Sequence, residues 1–427
     1  MLGKKLRWWI IGLVMLGTIL NYLTRSIMGV AAPTFMAELH ISTEQYSWIT
    51  SGFQLGIMLQ PVAGYILDVI GLKSGLALFA AAWGLITMVH GVATGWLGLA
   101  GLRSLLGFAE GTAHPGALKV IAEWFPARER GFAGGVYNIG ASLGSVLAPL
   151  LVAGAVWVWD WRGAFVVAGV LALIWAAAWR HYYYSPELHP AISPEEKAEI
   201  IEGQETYLQA VPGRPPIGQL LRRRNLWGIA LPRFLADPTW GTLTLWMPLY
   251  LTTVRHFDLG QIAMFAGLPF IAADLGCLFG PFIVFRLQKR GISLINARRG
   301  AYTLGAVMMT GMMFVGQVDS AVAAVALLCL GGFAHQTLSV TCITMASDLF
   351  PRNEVGTAAG IAGTMANLGV LLFSLAIGHF VERIGYGPFF VALGVLDLFA
   401  ATLLWTLVRA PEPAAAKPMP EKDAETA

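Results

Sequence analysis

SPELHPAISPEEKAEIIEGQETYLQAVPGRPPIGQLLRRRN, residues 185–225, is polar and proline-rich, and the chain on either side of it is apolar. Of 427 residues, 56% are hydrophobic and only 12% charged, about half the charge usual in a soluble domain. A spanning helix needs about 20 apolar residues. Twelve such runs can be read: 8–36, 44–67, 75–95, 98–121, 131–157 and 162–183 before the polar stretch, and 226–253, 260–285, 296–317, 320–346, 356–381 and 387–408 after it. The expectation is an all-α polytopic membrane protein of twelve transmembrane helices in two six-helix halves. Residues 1–184 form the first bundle, 185–225 a linker, 226–409 the second bundle, and 410–427 an Ala/Pro/Glu-rich tail whose composition predicts disorder. Inside the linker, SPEEKAEIIEGQE reads as a short amphipathic helix. Ser193 or Pro194 stands near its start, with acids in the first turn.

Lys and Arg in loops set orientation. With the N-terminus in the cytoplasm, the cytoplasmic side holds 21 of the 28 cations and the opposite side only Arg162, Arg255 and Arg383. Both termini and the linker are therefore expected inside. Because the cations are confined to particular loops, a net charge of +3 points to no nucleic acid partner. No cleavable signal peptide is expected, since the first apolar run is too long and contains Arg25. Cys277, Cys329 and Cys342 lie in apolar segments without metal-ligand spacing and read as small packing residues. No cofactor or metal is expected, and no H-E-x-x-H helix, G-x-S-x-G elbow or P-loop points to an enzyme.

Two halves of six helices resemble the major facilitator superfamily. GYILDVIGLKSG, between the second and third runs, is similar to that superfamily's G-x-x-x-D-x-x-G-x-[RK] signature at Gly64, Asp68, Gly71 and Lys73. Gly64 is expected to allow close helix approach and Gly71 a tight turn. Asp68 and Lys73 are assigned to gating. In the matching loop GPFIVFRLQKRG no acid stands at the Asp68 position. A monomer is the expectation this resemblance carries.

Few ionisable groups lie deep in the runs: Arg25, Arg103, Glu110, His114, Arg233, Asp237, Asp274 and His335, with Lys119 nearer an end. Such groups face the bundle interior or a watery cavity and mark substrate or ion paths. Arg25 is fixed positive and has no acid within a helical turn, so it wants an anion, either a substrate carboxylate in two-point contact or an acid such as Glu110 or Asp274 on another helix. Arg103 and Glu110, seven residues apart, share a helix face without touching. Arg103 reads as structural or as part of an outer gate. Glu110 reads as a proton carrier, because burial favours a neutral carboxyl and a nearby cation a charged one; a fixed partner of an arginine is the alternative. His114 reads as a packing residue ahead of a kink at Pro115. Arg233 and Asp237 are spaced to pair locally. Pro238 interrupts the helix at that depth, where transport paths are often lined. Trp240 and Trp246 suit either a sugar face or an interface, and His335, Gln336 and Asn367 suit hydroxyl contacts.

NYLTR in the first run, R-x6-E in the fourth, PRFLADPTWGT in the seventh, GGFAHQ in the tenth and RNEVGTAAG before the eleventh resemble the bacterial hexuronate transporters of the anion:cation symporter family. The resemblance runs from Leu6 to about Arg409. It implies import of galacturonate and glucuronate with protons across the bacterial inner membrane. In related sugar-acid symporters the first-helix motif is N-Y-x-D-R. Asn21, Tyr22 and Arg25 match it, but Thr24 replaces the acid. The expected site is thus Arg25 for the substrate carboxylate, Tyr22, Trp240, His335, Gln336 and Asn367 around the sugar, and Glu110 with Asp237 for protons. One proton per uronate is expected unless Asp237 or Asp274 supplies a second site. A carrier of the same fold for an aldonate or an aromatic acid remains the alternative.

Overall fold

The computed structural model describes residues 6–202, 217–350 and 352–409; the expected tail, 410–427, lies outside the described residues. Every regular element among the described residues is helical. Eight segments are long and apolar enough to cross a membrane. They correspond to all or most of α1 (Leu6–Glu38), α4 (Leu72–Val89), α7 (Ala127–Val158), α8 (Trp161–Tyr182), α14 and α15 together (Leu259–Phe265 and Leu268–Lys289), α17 (Ala321–Leu349), α18 (Arg352–Ile384) and α19 (Gly387–Leu407).

The other four expected spans are present as interrupted or less apolar helices. The second is split at Leu59 into α2 (Thr43–Met58) and α3 (Gln60–Ile70), with Pro61 in the first turn after the break. The fourth is split into α5 (Trp96–Glu110) and α6 (Ala113–Trp124). The break falls at Gly111–Thr112 rather than at Pro115, which occupies the first turn of α6, where a missing N–H costs nothing. The seventh comprises α11 (Arg224–Ala236), α12 (Pro238–Gly241), a π-helical turn over Thr242–Trp246 and α13 (Met247–Thr253). The ninth is α16 (Leu294–Met309), entered through Arg298 and Arg299 and closed by a 3-10 turn, Thr310–Phe314. Between the halves lie α9 (Pro194–Glu202) and α10 (Ile217–Leu221).

The linker helix α9 starts where its sequence places it, and the Ser193 hydroxyl accepts from the Glu196 amide at 3.1 Å. It is fastened to the first half. The Glu196 carboxylate accepts from the Leu6 and Arg7 amides at 2.9 and 3.1 Å, satisfying orphan donors at the positive end of α1. The buried Arg7 guanidinium pairs with Glu129 and Glu199, each at 3.1 Å.

Packing repeats between the halves. The first span lies against the fifth and the second against the fourth, as α1 on α7 and α2 on α5. The same order recurs as α11 on α18 and α15 on α17. Each seam is made by a glycine whose missing side chain admits a carbonyl of the facing helix: Gly144 against Ile19, Gly56 against Ser104, Gly369 against Phe234 and Gly276 against Phe333. Gly71 turns the chain between α3 and α4 with φ 79°, a conformation that favours glycine. Gly64, by contrast, faces open space; it lies at no helix crossing, so the expected close approach is absent there.

The halves meet on the face remote from Leu6 and Val408. There the Tyr46 hydroxyl donates to the Leu245 carbonyl at 2.6 Å, Thr50 and Ser374 share a hydrogen bond of 2.7 Å, and the Trp246 indole donates to Ser374 at 2.9 Å. Trp246 is buried and edge-on to Tyr46, so it serves this seam and neither a sugar face nor the lipid interface.

Candidate functional site

The first half supplies one charged cluster. Thr24 and Arg25 lie midway along α1, and Glu110 ends α5 where Gly111 and Thr112 interrupt the span. That interruption brings the carboxylate against α1. Arg25 Nε donates to Glu110 Oε2 at 2.7 Å, and the Thr24 hydroxyl donates to Oε1 at 2.7 Å. Glu110 is 1% exposed, while the Arg25 side chain is 20% exposed, so the cation is the member that can be approached. Its guanidinium carbon lies 4.9 Å from the Tyr22 ring centre and 5.2 Å from that of Phe53. Both are cation–π contacts in range.

Arg103 is wholly buried. Its guanidinium carbon lies 4.8 Å from the Phe53 ring centre, and it donates to the Arg25 carbonyl at 3.3 Å. It therefore braces α1 under Arg25. No ion pair joins it to Glu110 among the described residues. His114 shares a 2.7 Å hydrogen bond with Tyr137.

The second half supplies the other cluster. Arg233 pairs with Asp237 at 2.9 Å, the two side chains 19% and 15% exposed. Trp240 lies nearly parallel to the buried His335 ring, 5.9 Å between centres, and edge-on to Phe270. Gln336 is half-buried on the same helix as His335. The Asn367 amide donates to the Gly363 carbonyl at 2.9 Å, leaving its carbonyl oxygen for other partners. Asp274 accepts from Ser142 across the two halves. It is not part of either cluster.

Of the gating residues, Lys73 sets its ammonium 2.8 Å from the centre of the Tyr184 ring; the side chain of Asp68 lies outside the described residues. One group was absent from the sequence reading. Asp397, midway along α19, is fully buried, and neither carboxyl oxygen has a hydrogen-bond partner among the described residues. Its signal was a single acid in the otherwise apolar run VALGVLDLFAATLL.

Comparison with known proteins follows the same lines. The model of the family described as the Major Facilitator Superfamily matches residues 14–334 and 292–427. The chain is 46% identical over 409 residues to the hexuronate transporter of Escherichia coli K12, covering 95% of each. It is 45% identical over 326 residues to the galacturonate transporter of Dickeya chrysanthemi, covering 76% of this chain and 94% of that one. Among solved structures, a D-xylose–proton symporter superposes with a TM-score of 0.72 at 18% identity, over 94% of this chain and 98% of that one. A bacterial homologue of the lysosomal transporter Spinster, inward-facing and unoccupied, gives 0.71 at 16%, over 95% and 96%. These two speak for the fold alone.

Proposed function

The chain belongs to the Major Facilitator Superfamily, among the relatives of the bacterial hexuronate transporters, and from that premise we propose that it imports hexuronates, galacturonate and glucuronate, together with protons by alternating access. It is a multi-pass transporter of the bacterial inner membrane and not an enzyme. In this reading both termini and the 185–225 linker are cytoplasmic, the bundles 1–184 and 226–409 rock as units, and the protein works as a monomer in the bilayer.

The observation that carries the reading is the buried Arg25–Glu110 pair. A guanidinium facing an empty cavity needs a counter-anion, and Glu110 supplies it at 2.7 Å. An arriving uronate offers a carboxylate to the exposed side of the same fork. Two carboxylates then compete for one cation. Protonation of Glu110 resolves the competition, so substrate and proton bind together. Thr24 stands where related symporters have an acid; its hydroxyl bond to Glu110 supports a role in seating the carboxylate. Tyr22 flanks the anchor. Trp240 offers a ring face, and His335, Gln336 and Asn367 offer polar atoms to the sugar hydroxyls. Asp237, held by Arg233, lines the second half as a further proton acceptor.

Closure on the face remote from the termini, through Tyr46, Thr50, Trp246 and Ser374, supports an inward-open arrangement. Opening outward breaks these contacts, with Asp68, Lys73 and Arg103 steadying the first half. Uptake of labelled galacturonate into proteoliposomes under an imposed pH gradient tests the reading. Wild type accumulates the label. Glu110→Gln exchanges it but accumulates less than wild type, and Arg25→Ala does neither. Accumulation by Glu110→Gln equal to wild type refutes the proton role.

A further inference from the structure

The second half holds a charge count that does not close. Arg233 pairs with Asp237, while the buried Asp397 of α19 has no hydrogen bond or ion pair among the described residues. The Arg233 Nε atom has no partner among the described residues, and neither do both oxygens of Asp397 and the Tyr302 hydroxyl. All three sites belong to one polar island. The field of Asp237 reaches Asp397, and Tyr302 feels Asp397, Asp237, Cys342 and Arg233.

The elements packed on α19 add no second cation at that depth. The helix lies against α11, α16, the Thr310–Phe314 turn and, lightly, α18. From α11 come Arg233, at its C-terminal end Asp237, and at the terminal face Arg224, which donates to the Thr406 carbonyl. From α16 come Tyr302 and, toward the terminal face, Arg298 and Arg299. Arg298 is engaged by Asp348 and Arg299 by the Val408 carbonyl. The turn has no titratable residue, and among its described side chains α18 offers His379, Glu382 and Arg383, all at its outer end. Arg233 is already taken by Asp237, and no cation of these elements pairs with Asp397 among the described residues. An ionised carboxylate with no hydrogen bond in a low-dielectric interior is among the costliest arrangements a protein can hold. The island closes its charge only by carrying a proton.

We propose that Asp397 is a proton-binding site of the second half, backed by Tyr302 and set behind the cavity-facing Arg233–Asp237 pair, and that it is loaded and emptied during transport. The half-buried Asp237 is then the relay to the sealed Asp397. The inference rests on the hexuronate reading for its substrate. It adds a second proton to the one assigned to Glu110, so each uronate anion enters with two protons and one net positive charge.

The test uses the full-length purified protein in proteoliposomes. With no pH gradient and a potential of about 100 mV, negative inside, one charge per cycle sets an accumulation limit of roughly fifty-fold. Wild type is expected to approach it. Asp397→Asn, which copies the neutral acid and should fold, is expected to lose the response to potential while keeping uptake driven by pH and counterflow. Asp397→Glu is expected to restore it. An unchanged response in Asp397→Asn, or none in wild type, overturns the proposal. Absence of galacturonate counterflow in wild type strikes the substrate reading instead. Infrared pH-difference spectra then decide the site without any substrate: a titrating protonated-carboxyl band present in wild type and Glu110→Gln but missing in Asp397→Asn supports it. A band unchanged by Asp397→Asn, or no band in wild type, overturns it.

Discussion

Glu110→Gln removes a charge while keeping nearly the same volume. In the wild type, Glu110 Oε2 lies 2.7 Å from Arg25 Nε, which puts the centres of charge about 4 Å apart. At the effective dielectric suited to such sites, two unit charges at that separation attract by about 4 kcal/mol. That is the upper limit of what the uronate carboxylate must overcome when Glu110 is ionised. Glutamine leaves a neutral oxygen for Thr24 and Arg25, so most of the competition disappears. Allowing for the hydrogen bond that the amide still accepts, galacturonate should bind roughly tenfold to a hundredfold more tightly to Glu110→Gln at alkaline pH, each tenfold being about 1.4 kcal/mol. The sign with pH follows from the same competition. Substrate favours the protonated carboxyl, so wild-type affinity weakens as pH rises, by up to about tenfold per unit for one linked proton. The variant should show a shallower profile. Equilibrium binding of galacturonate to purified protein at several pH values reads both quantities. Wild-type affinity and wild-type pH slope in Glu110→Gln would falsify the exchange of anions at Arg25.

Three further outcomes are expected. Arg25→Lys keeps the charge but loses the planar fork; the lost charge-assisted bond, about 1.5 to 3 kcal/mol, should weaken galacturonate binding by roughly tenfold or more, and undiminished affinity argues against two-point contact. Tyr46→Phe deletes the 2.6 Å bond to the Leu245 carbonyl, worth about 1 kcal/mol net, so the outward-open population should rise about fivefold. Spin-label distances between cysteines placed at His40 and Arg383 measure it, and an unshifted distribution speaks against that seam as the outer gate. Arg7→Ala strips two carboxylates of a buried partner and should destabilise the fold by about 3 kcal/mol, seen as a lower melting temperature in detergent with transport per folded molecule retained.

Hydropathy alone gave the twelve spans because burial in lipid demands length and apolarity, whatever the helix does inside. It could not show that three of them are broken, since Gly111, Pro61 and Pro238 interrupt the helix without lowering apolarity. The Arg25–Glu110 pair was legible only as one of two options. Helix faces can be read from spacing, but the rotation of α1 against α5 is set through glycine seams with α7 and α2, whose facing carbonyls no spacing reveals. Thr24 was noted as a missing acid; its hydroxyl bond to Glu110 depends on that same rotation. Trp246 could not be told from Trp240 by sequence, because six residues and a π-turn send them to different surfaces, one to the half-to-half seam and one against Phe270 and His335. Asp397 escaped because a lone acid in an apolar run carries no spacing pattern.

The glycine seams have a last consequence. Where Gly144 meets the Ile19 carbonyl or Gly276 meets that of Phe333, cohesion comes from dispersion and weak Cα–H···O contacts. Neither varies with pH, with salt or with the charge on a bound ligand. The scaffold of each bundle is therefore insulated from the titrations it hosts: protons and anions can come and go at its centre while the frame holding them keeps its shape, as a lever must if small electrical events are to become a swing of the whole.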